Sequence, residues 1–86
     1  MLEYRITLAR SAEKEIATLP LAMQKRVAKA IDKLASNPHP PGSKKLRGSH
    51  HIYRVRVGDY RIIYEIYARE RMVDVTHVRH RREAYD

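Results

Sequence analysis

The stretch YRVRVGDYRIIYEI, residues 53–66, decides the fold. Gly58 and Asp59 separate two runs of alternating apolar and polar residues, and a two-residue break between such runs reads as a β-hairpin. A loop that short also sets the register. Val57 then faces Tyr60, Arg56 faces Arg61, Val55 faces Ile62 and Arg54 faces Ile63. Tyr53, Val55, Val57, Tyr60, Ile62 and Tyr64 share one side of the ribbon, suited to a core, while Arg54, Arg56 and Arg61 share the other. Like charges directly opposite one another destabilise a sheet by about 0.2–1 kcal/mol. Selection for folding alone would disfavour the arrangement, unless both guanidiniums splay into water where charge is cheaply screened.

Outward from the hairpin, HIYRVRV leads into the turn, YRIIYEIY leaves it, and MVDVTHVR follows a link at residues 68–71. All three runs read as strands. Upstream, SNPHPPGSKK (residues 36–45) gathers three prolines and a glycine and is expected to be a loop. Before it, Pro20 divides two helices. SAEKEIATL (residues 11–19) places Ala12, Ile16 and Leu19 at helical spacing, with Ser11 as the expected cap. The second helix carries Pro20 in its first turn and a stripe of Met23, Val27, Ala30, Ile31 and Leu34, ending near Ala35. LEYRITL (residues 2–8) alternates as a strand, with Leu2, Tyr4, Ile6 and Leu8 on one face. The expected fold is therefore α+β. An N-terminal strand precedes two helices, which pack on one face of a mainly antiparallel sheet of four to five strands, and residues 1–86 form one domain.

Charge adds a partner class. Eighteen Lys and Arg against ten Asp and Glu give a formal charge of +8 over 86 residues. Between Lys44 and Arg61 there are six basic residues and one acid, so the excess is regional. Guanidinium binds two oxygens of a phosphate at once and stays charged at physiological pH. Lys44, Lys45, Arg47, Arg54 and Arg56 are accordingly expected to contact nucleic-acid backbone. Tyr53, Tyr60 and Tyr64 belong to the core side of the hairpin rather than to a base-stacking surface. Tyr85 differs, lying in the polar tail RHRREAYD. The chain has no cysteine, which excludes disulfides and thiolate chemistry and fits a reducing compartment. It has neither an apolar run of about 20 residues nor a signal-like N-terminus, so a cytoplasmic protein is expected.

Two segments, KKLRGSHHIYRVRVGDYRIIYEI and VDVTHVRHRREAYD, carry a family pattern: K-L-x-G, then Y-R-x-R-x-G-x-Y-R-[IV]-x-Y, then V-x-H-R-x-x-x-Y. In this pattern the chain resembles, over its whole length, the RelE branch of the RelE/ParE toxin superfamily. The resemblance implies the toxin of a type II toxin–antitoxin pair, a ribosome-dependent endonuclease that cleaves mRNA in the ribosomal A site. It implies attack of the RNA 2′-OH on the adjacent phosphate with loss of a 5′-OH, and no metal or other cofactor. The implied partners are a RelB-like antitoxin, A-site mRNA and ribosomal RNA. Arg61 and Arg81 stand where the family commonly keeps catalytic arginines, and Tyr85 matches a tyrosine that stacks on the target base.

Two departures matter. Arg54 and Arg56 replace lysines, and arginine, being always protonated, stabilises phosphorane charge without abstracting a proton. Tyr85 also follows Arg81 more closely than in some relatives. Arg54 and Arg56 thus leave the base to a histidine, to the ribosomal RNA or to no single group, and among five histidines, at 39, 50, 51, 77 and 80, His80 beside Arg81 is the expected choice as general acid or base. His77 is expected to face the core. His50 and His51 point to opposite faces and lack a nearby carboxylate, so no metal site is expected there. Two other functions share the fold: inhibition of DNA gyrase by binding, as in the ParE branch, and RNA binding without cleavage.

Overall fold

A computed structural model describes residues 3–82. The hairpin has the register its sequence requires: β3 (Ile52–Val57) and β4 (Tyr60–Tyr67) pair Val57 with Tyr60, Arg56 with Arg61, Val55 with Ile62 and Arg54 with Ile63. Gly58 has a φ of +58°, which the first residue of a II′ turn requires and a side chain resists. A Cβ there would also meet Arg26 and Met23 at 3.2 Å, because the turn rests on the second helix.

Five strands make one sheet in the order β1-β5-β4-β3-β2. β1 (Arg5–Leu8) runs parallel to β5 (Met72–His80), and the other neighbours, including β2 (Lys44–Lys45), are antiparallel. Both helices, α1 (Arg10–Ala17) and α2 (Leu21–Ser36), lie between β1 and β2 in sequence and bury their stripes on one face of the sheet. The core joins Ala12, Val27, Ile31 and Leu34 to Val55, Ile62, Tyr64, Val73, Val75 and Val78. Tyr64 is fully buried and donates its hydroxyl to the Pro38 carbonyl at 2.9 Å, which pins the proline loop over the sheet. Burial pushes its phenol up to about 12. Tyr53 stacks on Tyr64 and receives His39 edge-on, so these tyrosines serve the core.

Several local expectations need correction. Lys44 and Lys45 end the expected loop as strand β2, and Pro20 is the N-cap of α2 rather than part of its first turn. Ser11 is not the cap of α1. The cap is Ala9 and the helix begins at Arg10, two residues earlier than a Ser11 cap implies, and the Ser11 hydroxyl donates instead to the Thr76 carbonyl at 2.6 Å. His77 does not face the core. Ile63 pairs with His77 but Tyr64 pairs with Val75, leaving Thr76 as an extra residue in β5. This bulge reverses the alternation beyond it, so Val78 enters the core and His77 turns to the opposite face. Among the described residues no helix is long and apolar enough to cross a membrane.

Candidate nucleic-acid interface

The face of the sheet away from the helices carries the arginines. Arg56 pairs with Arg61, and Arg61 pairs in turn with Arg79, so three guanidinium side chains form a row across β3, β4 and β5. Arg79 was not expected there, because its place depends on the bulge at Thr76. Arg56 is exposed, whereas Arg61 and Arg79 are half-buried and the Arg61 Nε is withdrawn from solvent. Partial withdrawal from water strengthens the field a guanidinium exerts on an anion.

Beside the row, Lys44 pairs with Arg54. Lys44, Arg54, Arg56 and Gly42 line a cleft of about 280 Å³. These residues supply cations of two chain segments to one concavity, the geometry that receives a phosphate rather than a point contact. The remaining basic residues separate. Lys45 pairs with Tyr53 on the other parity of β2, and Arg47 is exposed in the turn that follows.

The end of β5 is tied to the hairpin turn. Arg81 donates its backbone N–H to the Asp59 carbonyl at 2.8 Å, bringing this residue beside the β3–β4 turn at the arginine end of the sheet. His80 pairs with Tyr60, and its ring meets the Tyr60 ring edge-on at 5.3 Å between centroids. Its Nδ1 accepts the Arg82 N–H at 3.3 Å. Tyr60 packs against the core, so His80 lies on the helix side of the sheet and not among Arg56, Arg61 and Arg79. Tyr85 lies outside the described residues.

The free half of β5 is covered by α1. β1 pairs with β5 only as far as Val75, and beyond that point the strand edge would be open. Glu15 of α1 reaches this edge: one carboxylate oxygen accepts the Val78 N–H at 2.9 Å and contacts His77 Nδ1 at 3.3 Å, and the other accepts from Arg79 Nε at 3.2 Å. At the opposite end of the same face two carboxylates confront each other, Glu65 on β4 and Asp74 on β5. Thr7 donates to Asp74 at 2.8 Å and Tyr67 donates to Glu65. The Glu65 carboxylate raises the Tyr67 phenol above its ordinary value. Among the described residues no three His, Asp or Glu side chains converge to hold a metal ion.

Comparison with known proteins sets this geometry in context. The family model described as the ParE toxin of type II toxin–antitoxin systems matches residues 6–85. A curated relative from Methanocaldococcus jannaschii, whose given name assigns it provisionally to the RelE toxins, is 28% identical over 87 residues, covering 98% of this chain and 97% of that protein. The RelE–RelB complex of Pyrococcus horikoshii OT3 contains a chain that superposes with a TM-score of 0.82 at 29% identity, covering 94% of this chain and 98% of the other. The RelB–RelE antitoxin–toxin complex of Methanococcus jannaschii gives a TM-score of 0.77 at 28% identity, covering 93% and 95%.

Proposed function

The chain belongs to the ParE toxin family of type II toxin–antitoxin systems, within the RelE/ParE superfamily, and from that premise we propose that it is a ribosome-dependent mRNA endonuclease. The observation that carries this reading is the row Arg56, Arg61 and Arg79 beside the cleft of Lys44 and Arg54. Cleavage by a 2′-OH requires charge stabilisation where the phosphorane forms, and preorganised guanidiniums supply it without a metal. Arg61 sits at the centre of the row and would contact the scissile phosphate. Arg54, Arg56 and Lys44 would hold the flanking backbone, with Arg81 closing the site from the hairpin end and Tyr85 stacking on the target base. His80, on the other side of the sheet, could reach such a phosphate only around the strand end.

The site would act in the cytoplasm, on mRNA in the ribosomal A site and against ribosomal RNA. RelE chains of P. horikoshii and M. jannaschii are found in complexes with RelB. A RelB-like antitoxin is accordingly proposed as the protein partner here, its acidic or amphipathic segment neutralising the +8 chain.

The matching family model is named for ParE, which favours a second reading, inhibition of DNA gyrase by binding. Mapping mRNA 5′ ends by primer extension separates the two. With purified programmed ribosomes the nuclease reading expects cuts within the A-site codon, and none in a ribosome-free control. Intact message together with inhibited gyrase supercoiling would establish the second reading. Intact message on ribosomes that retain the protein would reduce the arginines to a binding surface.

A further inference from the structure

We infer that His77, oriented by Glu15, is the proton acceptor of the cleavage reaction, and this inference rests on the nuclease reading above. A row of arginines stabilises charge but abstracts no proton, so the arginine face needs another group. His77 is on that face. It lies two residues before Arg79 on the same strand, about 7 Å away along the backbone, with Ile63 directly across and Arg61 diagonally across.

The contact with Glu15 fixes the tautomer. A carboxylate only accepts, so His77 Nδ1 carries the proton in its 3.3 Å contact, and in the neutral ring the lone pair is then on Nε2. Glu15 is itself held from two further sides, by the Val78 N–H and by Arg79 Nε. The same carboxylate thereby positions both the imidazole and a guanidinium of the row. Its hold on Arg79 uses Nε, and a guanidinium has two further nitrogens with which to grip a phosphate.

The step balances. Nε2 takes the proton of the 2′-OH while the 2′ oxygen forms a bond to phosphorus and the bond from phosphorus to the 5′ oxygen breaks. The departing electron pair remains on the 5′ oxygen, which takes a proton from water. The imidazolium then returns its proton to the hydroxide so formed. The products are a 2′,3′-cyclic phosphate and a 5′-OH, with no net proton change. Glu15 is a positioning residue and touches no substrate atom.

A double-mutant cycle on programmed ribosomes tests the pair. Wild type, H77A, E15Q and H77A/E15Q are compared for cleavage at saturating ribosomes, for ribosome affinity and for folding by circular dichroism. H77A is expected to remain folded, to bind ribosomes as wild type does and to cleave about 100-fold more slowly, the lower range for a general base. E15Q is expected to slow cleavage about tenfold in the wild-type background and clearly less in H77A, where only its hold on Arg79 is left to lose. H77A cleaving within about threefold of wild type would overturn the inference. So would an equal effect of E15Q in both backgrounds, which is the mark of a purely structural edge cap. If H77A does not fold, H77Q takes its place with the same expectations. A wild-type protein that leaves message intact overturns the nuclease reading and this inference together, whereas active wild type with active H77A overturns this inference alone.

Discussion

The two ends of the open sheet face use the same device with opposite charge. Arg61 lies between Arg56 and Arg79 at one end, and Glu65 lies opposite Asp74 at the other. The environments differ. Each carboxylate accepts a hydrogen bond from a neutral hydroxyl of the same face, Thr7 for Asp74 and Tyr67 for Glu65, which satisfies the charge locally. The arginine end adjoins a cleft lined by Lys44 and Arg54, so positive charge accumulates toward a space that a ligand can enter. Juxtaposed like charges therefore do not by themselves mark a site. What distinguishes the arginine end is a concavity beside it and an edge residue, Glu15, that holds Arg79. The face as a whole is a dipole along the strands, attracting a phosphate at one end and repelling it at the other.

Breaking the cation end should have the largest effect. Arg61→Ala is expected to keep the fold and reduce cleavage about 100-fold or more in a single-turnover assay on programmed ribosomes. Next comes the support beneath the cleft. Tyr64 is neutral in the folded protein up to about pH 12, whereas an unfolded tyrosine ionises near 10. Its contribution is complete below pH 10 and is lost as pH rises through 12, on the order of 2–3 kcal/mol. Chemical denaturation of Tyr64→Phe should show that much less alkaline loss, while at neutral pH the missing bond to Pro38 costs about 1 kcal/mol.

A smaller effect is expected from a second change at the cation end. Arg56→Ala should make the salt dependence of binding to a short single-stranded RNA shallower by about 0.7 in the slope of log K against log salt, the loss of one phosphate contact. The smallest effect belongs to the acidic end. Asp74→Asn keeps an acceptor for Thr7 and relieves the opposition to Glu65, so thermal unfolding should show a gain of about 0.2–1 kcal/mol.

Much of this was legible in the chain because a two-residue turn leaves little freedom. Gly58 and Asp59 set every pair from Tyr53 to Tyr64, including Arg56 against Arg61, and Pro20 marked the boundary between the helices. The β5 side was not legible for a physical reason. One extra residue, Thr76, changes which side chains share a face, and VDVTHVRH contains no glycine to announce a bulge. Hence simple alternation does not put Arg79 and His77 on the arginine face, and His80, beside Arg81 after the strand, stands out in the sequence as the acid or base instead. The parallel pairing of β1 with β5 and the edge cover by Ser11 and Glu15 depend on contacts more than 60 residues apart in sequence, which local patterns do not encode.

The difference between the two ends is read most simply by removing one charge from each and comparing both variants in one assay. Arg61→Ala and Asp74→Asn would be compared with wild type for single-turnover cleavage of the same message on programmed ribosomes. A loss of about 100-fold or more is expected for Arg61→Ala and a rate within about threefold of wild type for Asp74→Asn. Equal losses at the two ends, or full activity of Arg61→Ala, would contradict this expectation.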